Sequence, residues 1–224
     1  MRIRPILFNG DMVRAILDGR KTCTRRVVKT RRKDACGFYV TKRTDGSFTG
    51  IYEYDEDERM FENQLIPPYK PGDILYVLET WHRYTKRVGK GEGCHLEEHY
   101  GYKASIANSE DAEEPWKPSI HMPKEAARIW LQVTDVWVER LQDIAPKDAK
   151  NEGVGNLFYE DIGYSGKDYG TEVDSEYGIA KEQFAWLWDS TIKKADLDCY
   201  GWDANPWVWV IEFERCEKPE ESEK

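Results

Sequence analysis

A lysine three residues ahead of a threonine, Lys21 and Thr24, is the spacing in this chain with the most chemical content. The two lie in Gly19-Arg20-Lys21-Thr22-Cys23-Thr24-Arg25-Arg26, inside a dense cluster of positive charge. A lysine crowded by other cations gives up its proton more readily, and the free amine can then accept the proton of a threonine hydroxyl. The same stretch also reads as a solvated basic loop, and spacing alone does not separate the two.

The elements that must position this pair can be traced from the apolar pattern. Met12, Val13, Ile16 and Leu17 fall on one stripe of a helix, which Asn9 or Asp11 can cap and Gly19 can end in a left-handed turn. Lys21 and Thr24 are then expected in the exit from that helix, facing a cleft. Downstream, Lys70-Pro71-Gly72-Asp73 reads as a tight turn that starts the strand Ile74-Leu75-Tyr76-Val77-Leu78. Residues 127–133 and 136–141 predict two strands, or one long bent strand. Residues 207–215, aromatic and β-branched, predict the last strand. Pro146 at a first turn predicts a short helix over 146–151. Phe184, Leu187, Trp188 and Thr191 predict another over 181–192, with Trp186 and Trp188 in the core. Residues 29–69, 83–117 and 153–180 are polar and read as insertions, the first containing a small hairpin near Asp45-Gly46. The pattern as a whole predicts an α+β fold around a small β-barrel, with a few short flanking helices and long inserted loops. It is expected to form a single domain over 1–216, followed by a frayed acidic tail at 217–224.

Composition narrows the classes. With 40% hydrophobic residues, 9 Trp and 13 Tyr, the chain is globular rather than disordered. No stretch approaches a membrane-spanning length, and the N-terminus lacks a leader-like apolar run, so a cytoplasmic protein is expected. Five scattered cysteines fit free thiols, and Cys94-His95 with His99 lacks a fourth ligand, so no metal and no cofactor are expected. A net charge of −9 argues against indiscriminate nucleic-acid binding. Residues 14–43 nevertheless hold eleven cations against Asp18 and Asp34, a local +9 that suits a small anionic ligand or a short stretch of RNA or DNA.

The run from Gly19 to Arg26 resembles the signature of ASCH domains, members of the PUA-like barrel superfamily. Gly72-Asp73-Ile74-Leu75-Tyr76-Val77, Val133-Thr134-Asp135-Val136, the helix near 143–151 and the closing strand follow in the family's order. Glu79-Thr80-Trp81, Pro118-Ser119-Ile120-His121-Met122-Pro123 and Trp202-Asp203-Ala204-Asn205-Pro206-Trp207 look like the longer, prophage-associated branch. The small enzymes of this family are amidohydrolases that deacylate N4-acetylcytidine with a lysine, a threonine and a glutamate. The resemblance carries these roles onto Lys21, Thr24 and, through Ala149-Lys150-Asn151-Glu152-Gly153, onto Glu152. It implies that Thr24 attacks the acyl carbonyl or positions a water, that Lys21 takes the proton, and that Glu152 orients the lysine or bonds the base edge. Arg20, Arg25 and Arg26 then form a basic wall for a nucleoside or nucleotide. The chain is about twice as long as those enzymes, and this keeps a second reading open: an RNA- or modified-base-binding module, with or without ribonuclease activity, built on the same cleft.

Four further residues are candidates for contact with a substrate. Glu79 ends an apolar strand, where it either pairs with Arg25 or Arg26 or joins the site. Trp81 either stacks on a base or packs in the core. His121, in a rigid extended segment between Pro118 and Pro123, is a general acid or a hydrogen-bonded structural histidine. Asn205 feeds the last strand and could read a base edge.

Overall fold

The computed structural model describes residues 1–90, 94–105, 115–154 and 176–220, and in them the chain is α+β, mostly strands with few and short helices. In chain order the elements are β1 (Ile3–Leu7), α1 (Gly10–Leu17), β2 (Cys23–Val27), β3 (Gly37–Lys42), β4 (Phe48–Tyr54) and β5 (Met60–Gln64). There follow β6 (Ile74–Leu78), β7 (Trp81–Val88), β8 (His95–Tyr102), β9 (Trp130–Arg140), α2 (Pro146–Asn151), α3 (Glu176–Thr191), α4 (Leu197–Tyr200) and β10 (Trp207–Cys216). The backbone divides into two units, each drawn from separate stretches. One comprises Met1–Lys21, Gly72–Val133 and Glu214–Lys224, the other Thr22–Pro71 and Thr134–Phe213.

In the first unit, β6 lies between β1, to which it is parallel, and the start of β9, to which it is antiparallel. Being central, it is apolar along its whole length, and Leu75 and Val77 are fully enclosed. Ile74, Leu78, Trp81, Met122, Ala126, Ala127 and Trp130 form one apolar cluster around it. The segment 83–117 begins as the antiparallel hairpin of β7 and β8, paired from Trp81 opposite Tyr102 to Val88 opposite His95. Helix α1 starts where Asn9 accepts a hydrogen bond from the Met12 N–H at 2.9 Å, and buries Val13, Ala15 and Ile16. Gly19, at φ +74°, turns the chain out of it, a conformation that costs glycine nothing. The N–H groups of Arg20 and Lys21 then both donate to the Ala15 carbonyl, at 2.9 and 3.0 Å.

In the second unit, β10 pairs antiparallel with β2, from Val208 opposite Val27 to Glu212 opposite Cys23. The expected choice between two strands and one across 127–141 resolves as one, β9, which runs on into this unit. The segment 29–69 folds as an antiparallel meander, β3-β4-β5, one strand more than a hairpin. Buried Glu53 on β4 accepts hydrogen bonds from the backbone N–H groups of Arg31 and Arg32, at 2.6 and 3.3 Å, and so pins the basic loop before β3. Helix α2 spans the six residues expected. Helix α3 begins five residues before the expected start and buries Ala180, Phe184, Leu187 and Trp188.

No closed barrel is found among the described residues; the strands form open sheets. No helix among them is long and apolar enough to cross a membrane. Most of the expected insertion over 153–180, and residues 221–224 of the expected tail, lie outside the described residues.

Candidate active site

Thr24 and Arg25 belong to a strand, not to the helix exit that their charged surroundings suggest. Pairing with β10 sets Thr24 opposite Ile211, Arg25 opposite Val210 and Arg26 opposite Trp209. Helix propensity and polarity gave no hint of β2, because its stability comes from the apolar partner strand rather than from its own residues. Thr22 ties the start of this strand to its surroundings on both sides. Its N–H donates to the Asn151 carbonyl, and its own carbonyl accepts from the Phe213 N–H, each at 2.9 Å.

That first bond leads to the end of α2, where Glu152 stands at the C-cap with its N–H donating to Asp148 at 3.0 Å. Gly153, at φ +95°, supplies the left-handed exit. The Glu152 side chain is enclosed and its Oε1 accepts from Arg25 Nη1 at 3.1 Å. On its other edge Arg25 donates through Nε and Nη2 to Glu139 Oε1, at 2.9 and 2.7 Å. Glu139 is itself steadied by the Trp137 indole N–H at 2.9 Å. Burial pushes the Arg25 guanidinium towards losing its proton, but Glu152 and Glu139 outweigh it and hold the group above its ordinary range. Arg25 is therefore not an open contact for phosphate: its side chain has no exposed surface, and it serves to fix two carboxylates.

Lys21, Thr24 and Glu152 are 2%, 2% and 3% exposed, so all three are closed to bulk water. Lys21 lies in the first unit, its Nζ 5.5 Å from the centre of the Phe8 ring. Thr24 and Glu152 lie in the second. Arg20 is paired with Asp18 at 3.0 Å. Arg26 is half-buried, and burial pulls its guanidinium below the ordinary value against the opposing influence of Tyr69 and Glu152.

Of the other expected residues, Glu79, Trp81 and His121 lie in the first unit and Asn205 in the second. Both Glu79 oxygens accept from Arg128, each at 2.8 Å, and Arg128 also covers the Tyr102 ring. Trp81 is buried in the first unit's core beside Tyr100, with Lys117 Nζ 5.2 Å from its ring. His121 is exposed and belongs to a 3-10 turn, so the segment between the two prolines is not extended. Asn205 adopts φ +45°, accepts from the Gln142 N–H through Oδ1 at 2.8 Å, and accepts from Arg140 through its carbonyl at 3.0 Å. Its side-chain oxygen is thus committed to the turn before β10. All five cysteines are free thiols.

The second unit also holds a cavity of about 410 Å³, lined by residues 25–27 and Lys29 on one side and by the end of α3 with the segment to Tyr200 on the other. Sequence reasoning reached Arg25 and Arg26 but not Lys29, Lys193 or Tyr200. A basic residue followed long afterwards by a lysine and a tyrosine carries no spacing signal. Glu139 was missed for the same reason, being 114 residues from its partner.

No protein-family model, curated protein or solved structure matches this chain.

Proposed function

We propose that the chain is an ASCH-type amidohydrolase that removes the acyl group from N4-acylated cytidine or a closely related nucleoside amide. The observation that carries the reading is the burial of Lys21, Thr24 and Glu152, each 3% exposed or less. Polar side chains of these types normally remain in water, and burying them costs several kcal/mol unless the fold is organised to hold them. Here they occupy the three positions that the ASCH resemblance marks, and a water-poor setting is what a lysine base requires. The PUA-like relationship is part of the same proposal.

In the reaction that the ASCH resemblance implies, Lys21 has the role of taking the Thr24 hydroxyl proton while Oγ1 bonds to the acyl carbon. The carbonyl electron pair moves to oxygen, then returns as the bond from carbon to N4 breaks, and the lysine ammonium delivers its proton to the departing nitrogen. Water, deprotonated by Lys21, cleaves the resulting threonyl ester to the carboxylic acid and restores the hydroxyl. Glu152, which Arg25 fixes, has in the same resemblance the role of orienting the lysine or accepting from the base.

Purified protein incubated with N4-acetylcytidine should release cytidine and acetate in equal amounts. Lys21→Met, which keeps the bulk of the side chain without its amine, should lower the rate by about 100-fold or more, the scale of a lost general base. Turnover by the folded variant at the wild-type rate would remove Lys21 from the mechanism.

A further inference from the structure

We propose that Glu139 is a positioning residue: held by Trp137, it sets the orientation of Arg25 and, through Arg25, the place of the Glu152 carboxylate. The catalytic consequence rests on the hydrolase reading, whereas the relay of side chains rests on geometry alone.

Trp137, Glu139, Arg25 and Glu152 lie in one unit and form a continuous line of hydrogen bonds. Trp137 Nε1 donates to Glu139 Oε2 at 2.9 Å, and the two residues, two apart on β9, share a face of that strand. Glu139 Oε1 accepts from Arg25 Nε and Nη2 at 2.9 and 2.7 Å. From the far side of the guanidinium, Nη1 donates to Glu152 Oε1 at 3.1 Å and approaches Cys23 Sγ at 3.8 Å. Two bonds along one edge fix the plane of a rigid fork, and the single bond at the other edge follows from them. Glu139 is therefore the anchor of the set and Glu152 the group it places.

Burial gives the relay its consequence. The Arg25 side chain has no exposed surface and that of Glu152 is 3% exposed, while Glu139 is 19% exposed. Enclosed donors left without an acceptor are costly, so an Arg25 that lost Glu139 would turn to another carboxylate. Glu152 is the other acid paired with it. The edge formed by Nε and Nη2 matches a carboxylate in bidentate fashion, so turning that edge towards Glu152 would draw its oxygens out of place. A glutamine at position 139 is enough to cause this. Its one carbonyl oxygen can accept from Arg25 or from Trp137, and its NH2 group then opposes the other donor.

Crystal structures of wild type and Glu139→Gln, with kcat and KM for N4-acetylcytidine, test the proposal. The Arg25 Nη1 bond to Glu152 should be lost in the variant, and kcat/KM should fall about 10- to 100-fold, the scale of a displaced catalytic group. Trp137→Phe keeps a ring without the N–H and should lower kcat/KM in the same direction. Combined with Glu139→Gln it should add nothing, because both changes break one line of bonds. An unchanged Arg25–Glu152 bond in Glu139→Gln would overturn the proposal whatever the activity. So would losses that add in the double variant, or a displaced Glu152 with wild-type kcat/KM. If Glu139→Gln does not fold, the Trp137→Phe crystal structure decides, with a shifted Arg25 expected and an unmoved one contradicting. Wild type that folds without turnover would remove the hydrolase reading, and the crystal structures alone would then decide the relay.

Discussion

An arginine with no exposed surface is expensive to bury, and Arg25 is tolerated because two carboxylates meet it from opposite edges. The arrangement makes Arg25 a positioning residue for Glu152 rather than a ligand contact. Replacing it by leucine should destabilise the protein by about 3 to 5 kcal/mol, since two acids lose their buried partner. Urea unfolding would measure this, and a loss under about 1 kcal/mol would mean that the pair contributes little beyond its geometry. At this scale the candidate site was half legible. Lys21 and Thr24 stand out because they are close in sequence and share a motif. Glu152 needed the resemblance, and Glu139 could not be found at all, because it sits on β9 and Arg25 on β2, two strands remote in the chain. Glu79 gave a comparable lesson: a buried acid was foreseen, but its partner is Arg128, 49 residues on.

Elements whose own residues dictate their structure were read correctly from the chain, and those stabilised by neighbours were not. β6 and β10 are apolar and β-branched, and α2 begins at a proline suited to a first turn; all three were expected near their observed limits. β2 carries two arginines and was read as a loop, because its strand character is conferred by β10. The meander in 29–69 depends on polar turn chemistry that is easily taken for an unstructured insertion. Asp55, in the turn from β4 to β5, illustrates it. Its carboxylate accepts from the Arg59 and Asp57 N–H groups, each at 3.0 Å, and from Arg59 Nε at 3.1 Å. The Arg59 backbone N–H is the main cause that holds it below its ordinary value of 3.8. A depressed carboxylate stabilises the fold fully above its unfolded value and loses that contribution as pH falls through its folded value. Asp55→Asn should therefore be less stable than wild type at neutral pH, and the gap should close on acidification below 3.8. Urea midpoints across that range would show it; a gap independent of pH would place the effect elsewhere.

For the molecule as a whole, the α+β class with its preponderance of strands was legible, and a closed barrel was not found among the described residues. Alternation along a strand reveals which face is buried, but not which strand lies beside it, so sheet closure is invisible to local pattern. The division into two units is equally hard to foresee, because each is assembled from stretches far apart in the chain and no linker marks the boundary. The basic run over 14–43 likewise changes meaning once folded. Arg14, Arg20, Arg25 and Arg32 are each paired with acids, so the local surplus of charge is much smaller than its sequence count suggests. What remains are the enclosed polar groups Lys21, Thr24 and Glu152, on which the proposed amide hydrolysis rests. The hydroxyl of Thr24 is the most exacting element of that account, since valine has the same shape without it. The decisive measurement is kcat/KM for N4-acetylcytidine in wild type, Thr24→Ser and Thr24→Val. Activity in wild type, kept within about tenfold by serine and reduced at least about 1,000-fold by valine, is the predicted result. A folded wild type without turnover, or a valine variant as active as serine, would contradict it.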